Sequence, residues 1–397
     1  MLLLASILCL TLQANAQQAL FGRQEVISPE IHPDNTVTFR FRDAKAIEVK
    51  VTGDFLPTQK VETPRGTYDA PGTADLKEGE NGVWTYTTPQ PLPSELYLYS
   101  FIVDGLKVND PANVYRIRDI ATINNFFIIG GGQGDWYRVK EVPHGAVIRC
   151  WYDSPTLKMQ RRLTIYTPPG YAHSGKRYPV LYLLHGVGGD EEAWISRGGC
   201  ASQILDNLIA SGKAQPMIVV MPNGNVAQEA APGESPAGFV KPSANLPHTM
   251  DGTFEASFPD IVNYVDKTFR TIKKKDSRAI AGLSMGGFHA LHISAQYPGM
   301  FGYVGLFSAA ILPREGSRSP IYADQDKKMD AQFAQKPLLY WIGIGKADFL
   351  YKANADYRKK LDEKGYKYVY FESEGGHIWR NWRLYLTRFA PLLFQKH

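Results

Sequence analysis

The chain has 397 residues, of which 44% are hydrophobic and 21% are charged, as expected for a folded protein with a sizeable core. The formal net charge is only +5, and the one dense basic run, Lys273-Lys274-Lys275, has no aromatic residues within it. We interpret this run as the solvated end of a helix and predict no binding to nucleic acid. The length favours two or three domains over one.

The first residues have the pattern of a secretory signal peptide. Leu2 to Leu12 form a short apolar run, and Ala14-Asn15-Ala16 is a small-x-small cleavage motif. The run is shorter than the roughly 20 residues of a membrane-spanning helix, and no later stretch is long and apolar enough to span. We therefore expect residues 1–16 to be cleaved after Ala16 and the chain to be exported to the periplasm or the cell exterior.

Two cysteines, Cys150 and Cys200, remain after this cleavage. They are too few for a disulfide framework, and no paired spacing predicts a metal site. Export permits one disulfide between them, but two free thiols agree with the sequence at least as well.

The front of the chain, from Pro29 to about Ile129, consists of short strands separated by turn sequences. No helical pattern intervenes, so residues 22–129 are predicted to form a small all-β sandwich. The glycine cluster at 130–135, which follows the sandwich, is predicted to be a flexible linker. The clearest predicted strands are 36–41, 47–51, 83–86 and 97–103.

Residues 136–397 alternate strands with helices, which predicts an α/β fold with a doubly wound, mainly parallel sheet. The strands after the first two are compact apolar runs, as is typical of parallel strands buried on both faces. The predicted strands are an antiparallel pair at 147–152 and 162–166, followed by 180–184, 217–221, 279–282, 303–307, 338–344 and 367–371. The predicted helices are 201–211, 258–269, 286–296, 350–363 and 378–390.

The strongest chemical signal is Gly282-Leu283-Ser284-Met285-Gly286, a G-x-S-x-G motif between a predicted strand and a predicted helix. In this setting the chain turns sharply and presents the Ser284 hydroxyl as a nucleophile. The backbone N–H of Met285, at the helix start, is then free to bind an oxyanion.

A serine hydroxyl needs a nearby base, and His377 is the only histidine well after Ser284 in a loop that follows a predicted strand. Asp348, just past the strand 338–344, is the predicted acid that orients His377. Asp348 could instead cap the following helix, and Glu372 and Glu374 are alternative acids.

A second oxyanion donor is predicted in the segment from Leu183 to Gly189, where a strand leads into His-Gly-Val-Gly-Gly. We assign the donor to the N–H of Val187, with Gly186 as the alternative. The predicted chemistry needs neither a cofactor nor a metal.

Four segments, YLLHGVGGDEEAW, AGLSMGGFHAL, GIGKADFL and GGHIWRNWR, resemble the esterase-D-like branch of the α/β-hydrolases. Within that branch they look most like carbohydrate esterase family one, which holds feruloyl and acetylxylan esterases. The resemblance covers roughly residues 140 to 395. It implies an α/β-hydrolase fold, a catalytic triad of Ser284, Asp348 and His377, and an oxyanion hole formed by Val187 and Met285.

The front segments SPEIHPDNTVTFRF and LYLYSFIVDGLKVNDPAN resemble the early-set immunoglobulin-like domains attached to such esterases, which are akin to glycogen-type carbohydrate-binding modules. We expect its aromatic residues Trp84, Tyr97 and Tyr99 to belong to the sandwich core and not to a sugar-binding surface.

The resemblance and the predicted export imply a secreted serine esterase that removes acyl groups from plant cell-wall polysaccharide such as xylan, feruloyl more than acetyl. Alternatives are a siderophore trilactone esterase, an acyltransferase, or a glycan-binding protein on an inactive hydrolase fold. The Gly- and Pro-containing segment 224–250 is predicted to form a lid or a wall of the acyl pocket. Candidate residues for an apolar pocket wall are Trp194, Phe239, Phe254 and Trp379.

Overall fold

The structure is a computed structural model that describes residues 26–63, 66–196, 198–236, 242–244, 246–313 and 317–395. The predicted signal peptide and Phe239 lie outside these residues. Within these ranges, none of the helices combines the length and the apolar character needed to cross a membrane.

The first part of the described chain is all-β, as predicted. One sheet has the order β1-β2-β8-β7, a second has the order β11-β12-β9-β3-β6 with β10 paired to β9, and β4 and β5 form a hairpin. The strands are β1 (Glu30–Ile31), β2 (Val37–Arg42), β3 (Val49–Gly53), β4 (Gln59–Thr63), β5 (Gly66–Ala70), β6 (Thr73–Asp75), β7 (Lys77–Glu78), β8 (Val83–Thr87), β9 (Leu96–Val103), β10 (Leu106–Val108), β11 (Arg116–Asp119) and β12 (Thr122–Ile128).

The core of this sandwich forms where the two sheets face each other. Phe39 of β2 and Tyr99 of β9 are both buried, with ring centroids 5.0 Å apart. Trp84 and Tyr97 are buried as well, in agreement with their predicted place in the core.

The second part is built on one eight-stranded sheet of order β13-β14-β16-β15-β17-β18-β19-β20. β13, β14 and β16 pair antiparallel, and the other neighbours are parallel, which confirms the predicted α/β fold. The strands are β13 (Ala146–Ser154), β14 (Met159–Thr167), β15 (Val180–Leu184), β16 (Ile218–Pro222), β17 (Arg278–Leu283), β18 (Tyr303–Phe307), β19 (Leu339–Gly345) and β20 (Val369–Ser373). The helices are α1 (Ala193–Ser196), α2 (Ala201–Ala210), α3 (Thr253–Thr268), α4 (Met285–Gln296), α5 (Gln325–Ala334), α6 (Tyr351–Glu363) and α7 (Trp379–Phe389).

Three helices differ from the sequence prediction. α3 begins at Thr253 instead of 258, because Phe254 and Phe258, one turn apart, are both fully buried against the sheet. α5 was not predicted, since in its polar sequence only Met329 and Gln332 are buried and no apolar period results. The single turn α1 is too short to give a periodic signal.

The glycine-rich segment 130–135 is packed at Gly134, whereas Gly131 and Gly132 are exposed. Gly134 is buried, and a Cβ on it would collide with the carbonyl oxygen of Ile129. The side-chain amide of Asn207, on α2, donates to the carbonyl oxygens of Trp136 and Arg138 just after the segment. The sandwich contacts the α/β part directly, since Arg383 on α7 donates to the side chain of Glu95 and to the carbonyl oxygen of Leu96; the domain bounds themselves stay predictions. Cys150 and Cys200 are both free thiols.

Candidate active site

Ser284 lies at the sharp turn between β17 and α4 with φ 54° and ψ −114°, a conformation that non-glycine residues rarely adopt. Its N–H donates to the carbonyl oxygen of Phe307 (2.9 Å), and its own carbonyl oxygen accepts from Phe288 (3.0 Å) and Ala310 (3.1 Å). These bonds hold the strained residue in place, as is common at functional turns.

The glycines of the motif allow this turn to pack against neighbouring backbone. A Cβ on Gly286 would lie 2.5 Å from the carbonyl oxygen of Leu184, and a Cβ on Gly282 would overlap the backbone of Gly286. Neither position can hold a side chain without moving β15 or α4, because the obstructing atoms are backbone.

Gly286→Ala is therefore expected to lower the melting temperature by several degrees and to abolish esterase turnover. The measurement is thermal unfolding together with hydrolysis of p-nitrophenyl acetate. Gly299→Ala is the matched control, since a Cβ at Gly299 meets nothing within 4 Å. A Gly286→Ala protein with wild-type activity would show that the turn is less tightly packed than described.

His377 and Asp348 are brought together from the loops after β20 and β19. Nδ1 of His377 lies 2.9 Å from Oδ2 and 3.1 Å from Oδ1 of Asp348, whose side chain is fully buried. Oδ1 also accepts the N–H of Leu350, the residue before α6 (2.9 Å), which fixes the carboxylate; the N-cap of α6 is Leu350 and not Asp348. Because Nδ1 is occupied by Asp348, Nε2 is the nitrogen that can act as a base.

The alternative acids Glu372 and Glu374 have other partners. Glu372 accepts hydrogen bonds from the hydroxyls of Tyr351 and Tyr370. Glu374 is paired with Lys346 and its side chain is 83% exposed. Asp348 is therefore the carboxylate that the structure places against His377.

Ser284 and His377 line one cavity of about 660 Å³, within the range of small-molecule sites. It lies at the junction of the two parts of the chain. The sandwich contributes Thr52, Gly53, Asp54, Pro71, Leu98, Tyr99, Ser100, Lys107, Asp119, Ile120 and Asn124; the α/β part contributes Gly186, Val187, Gly189, Ala193, Leu283, Ser284, Phe349, His377, Ile378, Trp379, Arg380, Trp382 and Arg383.

Residues 186–190, which we name the oxyanion loop, run beside Ser284. A Cβ on Gly186 would lie 3.4 Å from the Cβ of Ser284. In the described part of the chain the N–H groups of Gly186 and Val187 donate to no other protein group. Met285 is the first residue of α4, where N–H groups lack an intrahelical partner. Residues with free N–H groups therefore flank Ser284 in the sequence and in the cavity lining.

His185 holds the start of this loop. Its Nε2 accepts the N–H of Gly224 (2.8 Å), so the proton resides on Nδ1, which donates to the carbonyl oxygen of Gly186 (2.7 Å). Burial lowers the pKa of His185 to about 4, which keeps the ring neutral at physiological pH. His185 thus supports the loop without contributing charge.

Two of the four predicted pocket-wall residues are corrected by the structure. Trp194 is buried behind the cavity, where Nε1 donates to Leu184 and the ring packs edge-on against Trp379 (5.4 Å). Phe254 is fully buried in the core against His289. Trp379 does line the cavity, and Phe239 lies outside the described residues.

The sequence reasoning missed an exposed apolar rim around the catalytic groups. Phe349 is 75% exposed, Ile378 43% and Val187 38%, and all three line the cavity. The Phe349 ring packs on His377 with centroids 4.6 Å apart. The sequence signal that could have identified Phe349 as a cavity residue is its position directly after the predicted acid Asp348.

The Esterase family model matches residues 154–393, more than half of the chain. An endo-1,4-beta-xylanase/feruloyl esterase of Xylanibacter ruminicola is 31% identical over 332 residues, 82% of this chain and 42% of that protein. The chain thus spans about two fifths of the length of this relative.

Among solved structures, a ferulic acid esterase of Anaeromyces mucronatus has 25% identity and a TM-score of 0.55, covering 66% of this chain and 95% of that one. The enterobactin esterase of Shigella flexneri has a TM-score of 0.58 at 18% identity and covers 90% of this chain and 92% of that one, which shows a shared fold over both parts. The chain belongs to the Esterase family, on an α/β-hydrolase fold similar to that of the carbohydrate esterase family one feruloyl esterases.

Proposed function

We propose that the protein is an exported serine esterase that releases feruloyl groups from plant cell-wall polysaccharide such as xylan, through an acyl-enzyme at Ser284. One observation carries the proposal: Ser284, the Asp348-bound His377 and Val187, whose N–H donates to no group in the described part of the chain, line one cavity. Export is inferred from residues 1–16, and detection of the activity in periplasm or medium tests that part.

Each catalytic group has one task. Nε2 of His377 takes the Ser284 proton while Oγ attacks the ester carbonyl carbon. The N–H groups of Val187 and Met285 bind the resulting oxyanion. As the tetrahedral intermediate collapses, His377 gives the proton to the departing sugar oxygen and the acyl group stays on Ser284. Water then repeats the sequence, releases the carboxylic acid and restores the hydroxyl.

The apolar rim favours an aromatic acyl group over acetyl. Phe349 and Ile378 leave much apolar surface in water, and a planar ring could cover it, whereas a methyl group could not. On the sandwich side the cavity is polar: Lys107 and Ser100 both donate to Oδ1 of Asn124. Such groups suit the hydroxyls of a sugar leaving group. The relatives named feruloyl esterase agree with this assignment.

The purified protein is expected to release ferulate from feruloylated arabinoxylan and methyl ferulate faster than acetate from acetylated xylan. Chromatography of the released acids measures both. Acetate release without ferulate release would reassign the protein as an acetyl esterase. Hydrolysis confined to a catecholate trilactone would favour the alternative of a siderophore trilactone esterase. No ester hydrolysis at all would favour a glycan-binding protein.

Phe349→Ala is expected to lower the ratio of kcat/KM for methyl ferulate to that for p-nitrophenyl acetate about tenfold, because the aromatic acyl group loses an apolar contact worth about 1.5 kcal/mol. Any disturbance of His377 affects both substrates and cancels in the ratio. Tyr115→Ala, which removes another exposed aromatic side chain away from the cavity, is the control. An unchanged ratio would exclude Phe349 from the acyl site.

A further inference from the structure

We infer that the β-sandwich is part of the catalytic apparatus: Arg118, on β11, and Ile120, at the turn between β11 and β12, are positioning residues that hold the oxyanion loop in place. The inference rests on the proposed function, since it assumes that the N–H of Val187 binds the oxyanion. It assigns the sandwich a role in the chemical step itself, independent of any glycan that the sandwich binds.

The first contact is an ion pair across the junction. Nη2 of Arg118 lies 2.6 Å from Oδ2 of Asp190, the last residue of the oxyanion loop, whose side chain is 1% exposed. Oδ1 of Asp190 accepts the N–H of Glu192 (3.0 Å), which fixes the carboxylate. Nη1 of the same guanidinium donates to the carbonyl oxygen of Ile120 (2.6 Å). One planar group thus ties the sandwich turn to the loop, a task for which arginine is suited and lysine is not.

The second contact is apolar and lies next to the predicted donor. Gly188 adopts φ +74°, and a Cβ on it would lie only 2.6 Å from Cγ1 of Ile120. The Ile120 side chain therefore rests directly on the backbone of the residue after Val187. An outward movement of the loop at Gly188 would have to displace Ile120.

The remaining side of the loop is held by the α/β part itself. The side-chain amide of Asn225 donates to the carbonyl oxygen of Gly189 (2.7 Å), and the N–H of Gly189 donates to Gly186 (3.1 Å). Together with His185 these bonds fix the inner face, and the sandwich turn closes the outer face. The loop is thus enclosed on two sides by residues far apart in sequence.

The buried position of Asp190 also changes its pKa. Burial and the charge of Glu191 raise the pKa of Asp190 from 3.8 to about 7, while Arg118 and the hydrogen bond from the N–H of Glu192 oppose the rise. The folded protein therefore binds this proton more tightly than the unfolded chain does. Its stabilising effect is present below about pH 4 and is lost as the pH rises to about 7. As the pH rises past about 7 and Asp190 ionises, its contact with Arg118 stabilises the charged form.

The test compares Arg118→Met with Arg116→Met, which removes an exposed arginine from the same strand outside the cavity. We expect Arg118→Met to lower kcat for methyl ferulate 10- to 100-fold with KM within twofold, because a displaced donor acts mainly in the transition state. Affinity for an aryl boronic acid, whose tetrahedral adduct places an oxygen in the oxyanion hole, should fall by a similar factor. Arg116→Met should match the wild type.

A kcat within twofold of wild type, or a lower melting temperature with unchanged boronate affinity, would overturn the inference. If Arg118→Met does not fold, Ile120→Ala removes the apolar contact without leaving a buried charge unpaired. Ile120→Ala should lower kcat for methyl ferulate and the boronate affinity 3- to 10-fold, with KM nearly unchanged. Unaltered kinetics in this variant would also overturn the inference. A wild-type protein that hydrolyses no ester contradicts the proposed function, whereas an active wild type with unaffected variants contradicts only this inference.

Discussion

Ser284→Ala is expected to lower kcat for p-nitrophenyl acetate and methyl ferulate by about 10⁴-fold or more without unfolding the protein. The substitution removes the hydroxyl that forms the acyl-enzyme. The residual rate then comes from the oxyanion donors and from substrate binding alone. The fold should persist because the backbone bonds of residue 284 to Phe307, Phe288 and Ala310 do not involve the side chain.

Steady-state kinetics at high enzyme concentration and a melting curve measure both parts of this prediction. Mass spectrometry of wild-type enzyme quenched during turnover should show an acyl adduct on the peptide that contains Ser284. Ser174→Ala, in an exposed loop far from the cavity, is the control. A Ser284→Ala enzyme that keeps even one tenth of the wild-type kcat would refute the assignment of the nucleophile.

The second large effect is expected for Asp348→Asn, a loss of about 10³- to 10⁴-fold in kcat. The N–H of Leu350 donates to Oδ1 of Asp348, so an asparagine would keep its amide oxygen there. Its NH₂ group would then replace Oδ2, which is the oxygen nearer to Nδ1 of His377. Nδ1 would have to accept, the ring proton would move to Nε2, and His377 could no longer take the proton of Ser284.

This prediction is checked by the kinetics of Asp348→Asn beside those of Asp356→Asn, an exposed acid on α6 paired with Lys352. The Asp356 variant should retain wild-type activity. The NMR signal of the His377 ring N–H should move from Nδ1 to Nε2 only in the Asp348 variant. A tenfold loss or less in that variant would mean that His377 is oriented by other groups, such as the rings of Phe349 and Trp382.

The sequence located the nucleophile and the base because their signals are local. Ser284 is recognisable from its four nearest neighbours and the strand and helix around them, and His377 from the order of elements. For the acid the sequence offers three candidates, because three carboxylates follow the last two predicted strands. Only the structure distinguishes Asp348, which contacts His377, from Glu372 and Glu374, which bind tyrosines and a lysine.

The pocket wall was predicted poorly for a different reason. Trp194 and Phe254 are predicted to line the pocket because aromatic residues suit an aromatic ligand. Most large aromatic side chains, however, pack in the hydrophobic core. Both are buried, whereas Trp379 and Phe349 line the cavity, and Phe349 is not among the predicted residues. Composition states how many rings exist and not which way each one points.

The sequence by itself determined the order of elements, the all-β front, the α/β remainder and the strand–turn–helix at Ser284, because periodicity, turn residues and glycine sterics act over a few neighbouring residues. Tertiary structure alone decided which acid meets His377, which side chains stay exposed beside it, and that Arg118 reaches Asp190, 72 residues further along the chain. Contacts of this kind join residues that lie far apart in the sequence, and no local pattern in a single sequence encodes their geometry.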